Sequence, residues 1–169
     1  ARDYVDSYFS FGYGPNVQVL DAAGPRRIQF EGTSARLTFA LYRLSPEQLL
    51  ATYSSSFKGE KPIPVEGLPL IQQWSRPTRP GQVSIPTDLP PGLYVLTLGR
   101  PNGRQDELIV VLTHYTLVLK EAGVGAGTSA THQVTGYAST IGGKAPRAGM
   151  AVRLYDRSGR LYGQASTDD

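Results

Sequence analysis

The sequence predicts an all-β chain: one complete antiparallel β-sandwich followed by part of a second. Three observations lead there. Apolar and polar residues alternate in Ala35–Leu44, Tyr94–Leu98, Glu107–Thr113 and Met150–Tyr155, the period of two that puts one face of a strand in a core. Glycine and proline number 19 and 13 among 169 residues, so the chain turns often, yet 40% apolar content is enough to build a core. A helical signal is confined to about two turns at Pro46–Tyr53.

Residues 1–14 carry five aromatics among Asp, Ser and Gly without a helical period, and are expected to form an irregular lead-in across a surface. Val17 and Val19, then Ile28 and Phe30, mark two strands about a turn at Ala23-Gly24-Pro25. In Ala35–Leu44, Leu37, Phe39 and Leu41 alternate with Arg36, Thr38, Ala40 and Tyr42. Ser45-Pro46-Glu47-Gln48 then reads as a serine N-cap, a proline at the first helical position and a glutamine that can reach back to the cap. Leu49, Leu50 and Tyr53 lie on one side of that short helix. A loop over Phe57–Leu68 precedes short strands at Pro69–Trp74 and Gln82–Pro86, with a Pro-rich turn at Arg76–Pro80 between them.

Asp88-Leu89-Pro90-Pro91-Gly92-Leu93-Tyr94 runs straight into a strand. A leucine, a Pro-Gly turn and a strand-opening tyrosine make a tyrosine corner, in which the phenol hydroxyl bonds back to the preceding loop of an immunoglobulin-like sandwich. Tyr94 and Gly92 are therefore candidate structural residues. Gly103 is another, because Asn102-Gly103 between two β runs is a strong hairpin signal. Leu37, Phe39, Leu41, Leu93, Val95, Ile109 and Val111 are expected to line one core.

A second unit follows at once. Tyr115–Lys120 alternates, Gly123–Gly127 makes a hairpin loop, and His132–Ser139 is a strand. Residues 142–149 (GGKAPRAG) form a turn-rich arch containing Pro146 and Gly149. Met150–Tyr155 and Arg160–Ser166 flank the turn Asp156-Arg157-Ser158-Gly159, for which Gly159 is the candidate pivot. The expected division is a lead-in at 1–14, a sandwich at 15–113 and an incomplete second domain at 114–169, since a sandwich of this kind needs about 100 residues.

Composition excludes several chemistries. With no cysteine there is no disulfide, thiolate metal site, catalytic cysteine or thioester. The longest apolar run is Leu108–Leu112, far short of the ~20 residues that span a bilayer. Net charge is +3 and the arginines (Arg26, Arg27, Arg36, Arg43 and others) are scattered; this reads as a solvated surface rather than the basic stripe of a nucleic-acid binder. Gly123-Val124-Gly125-Ala126-Gly127 has Thr128 where a dinucleotide loop needs its last glycine. Gly143-Lys144 fails as a phosphate loop, with Ala138 and Ala145 at the defining positions. His114 and His132 have no acidic or histidine neighbours at metal-ligand spacing, and no Gly-x-Ser-x-Gly turn is present. Trp74 reads as a core or interface residue before it reads as a sugar platform. No catalytic residue, cofactor or metal is expected.

The residues of the second unit carry a resemblance. Residues 143–149 (GKAPRAG), 152–159 (VRLYDRSG) and 163–168 (GQASTD) are similar to the "t-G-k-P-v-a-G", "v-x-l-y-d-r-x-G" and "g-x-a-x-T-D-x-x-G" segments of macroglobulin-like domains in the N-terminal half of bacterial alpha-2-macroglobulins. Phe39–Leu44 and the Pro-Gly-Leu-Tyr turn resemble the preceding domain of such proteins, so the likeness runs over about Pro15–Asp169. Arg147 stands where the arch usually has an apolar residue. The resemblance implies macroglobulin-like β-sandwiches and a scaffold role in a periplasmic or secreted, broad-range protease inhibitor that traps target proteases. Bait segment and Cys-x-Glu-Gln thioester are not present in this chain. The alternative expectation is an immunoglobulin-like adhesion module that binds glycan or protein. The first residue is Ala1, and Thr167-Asp168 matches the start of the family's T-D-x-x-G turn; the chain is therefore expected to be a mature or excised piece of a longer polypeptide, and its second domain to offer a surface for self-association.

Overall fold

The computed structural model describes residues 9–11, 17–32, 36–55, 63–77, 81–99, 105–124, 131–143, 146–156 and 158–168. The chain divides into two compact units, Ala1–Thr113 and His114–Asp169.

In the first unit a five-stranded sheet has the order β2-β8-β7-β4-β5, formed by Val17–Asp21 (β2), Gln105–Thr113 (β8), Gly92–Gly99 (β7), Arg36–Leu44 (β4) and Leu70–Pro77 (β5). A three-stranded sheet, β1-β3-β6, pairs Phe9–Ser10 (β1) and Gly81–Ser84 (β6) with Arg27–Gly32 (β3). Between the two sheets lies the main core: Ile28, Phe30, Val83 and Ile85 meet Leu37, Phe39, Leu41, Tyr94, Leu96, Leu98, Leu108, Val110 and Leu112. Phe30 sits edge-on to Phe39 at 5.3 Å. Trp74 stacks on the other side of Phe39, at 5.7 Å and 12°, so it extends the core at the sheet edge.

The fold is the all-β sandwich read from the sequence, with three departures. First, β2 pairs with β8 in parallel, Val17 opposite Ile109 and Leu20 opposite Leu112, whereas the alternating strands were all expected to pair antiparallel. The long stretch of chain between β2 and β8 supplies the crossover that parallel neighbours need. Second, Leu93, Val95, Ile109 and Val111 do not share a core with Leu37, Phe39 and Leu41. Register pairs Phe39 with Leu98 and Leu41 with Leu96, so the odd-numbered residues of β7 face the other way. There they meet Leu44 and Ile63, with Leu49, Val65 and Leu68 packed alongside. The helix α1 (Pro46–Ser55) and residues 63–68 thus cover the second face, and Tyr94–Gly99 is buried without interruption. Third, the lead-in is not wholly irregular. Phe9 and Ser10 pair with Gly32 and Glu31, and the Phe11 amide donates to Asp106 Oδ2 at 2.8 Å.

The helix starts as its capping residues dictate. Gln48 N–H donates to Ser45 Oγ (3.1 Å) and Ser45 N–H to Gln48 Oε1 (2.9 Å), a reciprocal capping box. It runs two residues past the expected Tyr53, whose side chain lies outside the described residues.

The second unit consists of two antiparallel ribbons. Tyr115–Val124 (β9) pairs with Thr131–Thr140 (β10), Leu117 opposite Ala138 and Leu119 opposite Gly136. Ala151–Tyr155 (β11) pairs with Leu161–Ser166 (β12), with a bulge at Leu154/Tyr155. Among its described residues only Ala138 and Ser139 are buried.

Candidate functional site: a braced tyrosine turn and a pinned arch

Of the residues singled out in the sequence, Tyr94 and Gly92 come together. Tyr94 is fully buried. Its hydroxyl donates to Pro90 O at 2.7 Å, back into the loop before the strand, and accepts from Arg43 Nη1 at 2.6 Å. Arg43 is the cross-strand partner of Tyr94, and its guanidinium carbon lies 5.0 Å from the ring centroid. A Cβ at Gly92 would come within 2.8 Å of Arg43 Nη2 and 3.0 Å of its guanidinium carbon. Because Tyr94 already pins that guanidinium, the space it needs has to be left by the glycine. Arg43 carried no signal in the sequence beyond its place in an alternating strand.

Arg26, which the sequence groups with the scattered, solvated arginines, is instead buried, at 7% exposed. Nη1 donates to Pro86 O (2.8 Å) and Leu89 O (3.1 Å), and Nη2 to Ala22 O (2.7 Å). Spreading the cation over three carbonyl dipoles offsets the cost of taking it from water. The signal was available. Arg26, Ile28 and Phe30 alternate, and all three are buried on one face.

Glu107 is a half-buried carboxylate of the first unit whose surroundings perturb it. Its Oε2 accepts the Ile63 amide at 2.6 Å. Burial pushes its carboxyl above the usual range, the Ile63 hydrogen bond pulls the other way, and the negative charges of Asp106 and Glu66 push it further up.

In the second unit Pro146 and Gly149 lie in one arch. Pro146 bridges to Ser139, and the Arg147 amide donates to Ala138 O at 2.9 Å. Gly149 has φ 72°, a left-handed turn open to solvent. Thr167 pins the arch from the far strand. Its Oγ1 donates to Arg147 O (2.5 Å) and accepts the Met150 amide (2.9 Å), while its backbone pairs with Gly149 and Met150. Arg147, at the position the resemblance makes apolar, lies 5.9 Å from the Tyr115 ring centroid. Gly159 has φ 80° in the turn between β11 and β12. There Asp156 Oδ1 accepts from Ser158 Oγ (2.6 Å), Ser158 N–H (2.9 Å) and Arg160 N–H (3.0 Å), and these bonds hold its carboxyl below the usual range. Gly103, with the Asn102-Gly103 hairpin, lies outside the described residues. So do Lys144 and Ala145 of the arch.

These polar groups are engaged with the protein's own backbone. Among the described residues no group of three or more His, Cys, Asp or Glu lies together as a metal site. No helix of the described residues is long and apolar enough to cross a membrane.

No protein-family model and no curated protein matches the sequence. Solved structures do match in fold. Native alpha-2-macroglobulin from Escherichia coli spanning domains NIE-MG1 superposes with a TM-score of 0.68 over 99% of this chain and 85% of that chain. The fold is similar to that of an alpha-2-macroglobulin segment. Sequence identity is 12%, so the likeness is one of architecture. The same protein spanning MG0-NIE-MG1 gives a TM-score of 0.63 at 14% identity, over 96% of this chain; this chain spans 54% of its length. The resemblance to alpha-2-macroglobulin read from the arch and the Pro-Gly-Leu-Tyr turn is thus matched by a likeness of fold.

Proposed function

We propose that this chain is a non-catalytic scaffold module of an alpha-2-macroglobulin-like protein, and that the parent polypeptide traps target proteases outside the cytoplasm. The observation that carries this reading is the fold likeness over 99% of the chain to two successive domains of such a protein. In this reading residues 15–113 form a complete macroglobulin-like sandwich and 114–169 the opening strands of a second. Tyr94, Gly92, Pro146, Gly149 and Gly159 are structural residues in this reading, as is Thr167. The adhesion alternative draws no support from Trp74, which stacks on Phe39. Fold does not by itself fix function, and the test is direct. An endopeptidase treated with the parent polypeptide should lose activity on protein substrates while keeping it on small peptides. The 169-residue chain alone should leave both activities unchanged even in molar excess. Stoichiometric inhibition by the isolated chain would overturn the scaffold assignment.

A further inference from the structure

Residues 63–68 lie over the second face of the five-stranded sheet and are fastened on either side. At the start, the Ile63 amide donates to Glu107 Oε2 at 2.6 Å. Just past the end, the Arg43 amide donates to Pro69 O at 2.9 Å. In between, Ile63, Val65 and Leu68 pack with Leu44, Val95 and Ile109, while Pro64, Glu66 and Gly67 are exposed. We propose that residues 63–68 are a strap whose opening is set by pH: Glu107 latches it to the sheet, and the latch weakens as pH rises, uncovering the apolar face beneath.

The two fastenings differ in kind. Arg43 and Pro69 bond backbone to backbone, and neither group titrates. Ile63 is held instead by a half-buried carboxyl side chain, which burial keeps above its ordinary range. With the strap down the neutral carboxyl is favoured; with the strap lifted the group returns to water and ionises at its ordinary value. Opening therefore releases a proton. By linkage it grows more frequent as pH rises from the ordinary value to the higher one, and then levels off. Ile63, Val65 and Leu68 oppose opening through their apolar contacts at every pH, so pH sets how often the strap opens rather than where it rests.

The charges around the latch act in the same direction. Asp106, beside Glu107 in β8, and Glu66, the strap's one charged residue, both make ionising Glu107 harder. Asp106 is itself fixed, its Oδ1 accepting the Glu107 amide at 3.0 Å and its Oδ2 the Phe11 amide. The cross-strand partner of Glu107 in β7 is Thr97, uncharged and bonded to Ala40 O at 3.4 Å. In β2 the charged residue is Asp21, opposite Thr113 at the far end of β8. In α1 it is Glu47, engaged by Ser45 at its own helix start. Strap, α1, β2, β7 and β8 contain no basic residue, so none of them offers a cation to hold Glu107 ionised.

Native-state amide exchange of the 169-residue chain, corrected for intrinsic exchange chemistry, is the test. If the strap opens alone, the Ile63 amide should exchange at least ~10-fold faster than those of Leu96 and Leu98 and respond weakly to low urea, because local opening exposes little surface. Its open fraction should rise at least ~3-fold between about pH 4 and pH 7, as the latch ionises. Glu107→Gln should remove that rise and keep the strap down at both pH values. Glu66→Gln, on the exposed turn, should make the rise smaller, and it reads the latch even where Glu107→Gln does not fold. Three results overturn the proposal: Ile63 exchanging in step with Leu96 and Leu98, an open fraction that ignores pH, or a rise that persists undiminished in either variant.

Discussion

Tyr94 and Arg43 illustrate how one hydroxyl can hold two elements. The hydroxyl closes the Pro90 turn as donor and fixes the Arg43 guanidinium as acceptor. Tyr94→Phe removes both bonds at once, and should destabilise the first unit by about 0.5–1.5 kcal/mol, the usual net worth of a hydrogen bond whose partners can reach water. Urea denaturation checks this; an unchanged midpoint would make Tyr94 an ordinary strand residue. Glu107 gives a pH-dependent counterpart. Its carboxyl is held above its ordinary value by burial, so the folded state prefers the protonated form. The stability this group contributes is complete below its ordinary unfolded value and is lost as pH rises through the higher folded one. Glu107→Gln keeps an oxygen acceptor for the Ile63 amide and removes the charge beside Asp106 and Glu66. The variant should be more stable than the parent at pH 7, with the two converging below about pH 4. A less stable variant at pH 7 would mean that the ionised hydrogen bond to Ile63 outweighs burial. Tyr94 and Gly92 were legible at this scale because a tyrosine after a Pro-Gly turn has a local signature. Arg43 and Glu107 were not, because their partners lie 51 and 44 residues away in sequence.

At the scale of elements, the helix is a cover as well as a connection. Leu49 packs on the face formed by Leu44, Val95 and Ile109, so loss of the Ser45 cap loosens more than one turn. Ser45→Ala should cost about 0.5–2 kcal/mol, read as a lower thermal midpoint of the first unit, and Ser45→Asp should restore most of it. The arch of the second unit depends on Thr167 in the same way. Thr167→Val keeps the branched shape but removes both hydroxyl bonds to Arg147 and Met150. Faster amide exchange at Met150 is expected, with Thr167→Ser close to the parent; equal rates in all three would show that backbone pairing alone holds the arch. Strand positions at this scale were readable because alternation is local. Pairing was not. Neither the parallel β2–β8 contact nor the opposite facing of Leu93 and Val95 follows from a period of two, which groups residues into faces without saying what covers each face.

For the whole molecule, the two units differ in how much apolar surface they seal. Phe39 is 0% exposed between two sheets, and Phe39→Ala should cost about 3–5 kcal/mol. Leu119 is 46% exposed, and Leu119→Ala in this chain should cost about 1 kcal/mol or less, since little burial is lost. Amide exchange of the intact chain should follow the same division, fast over Met150–Ser166 and slow over Tyr94–Leu98 and Ile109–Leu112. Uniformly slow exchange in a monomer would show that the second unit is stable as it stands.

By itself the sequence determined what depends on neighbours within a few residues: the strands, the Ser45–Gln48 cap, the Pro90–Tyr94 turn and the arch that resembles a macroglobulin domain. Only the tertiary structure decided which strands meet, that the central sheet is covered on both faces, and that Arg26 is an internal clamp. The reason is physical. Propensity, capping and turn chemistry act through short, local bonds, whereas pairing and burial are settled by contacts between residues tens of positions apart.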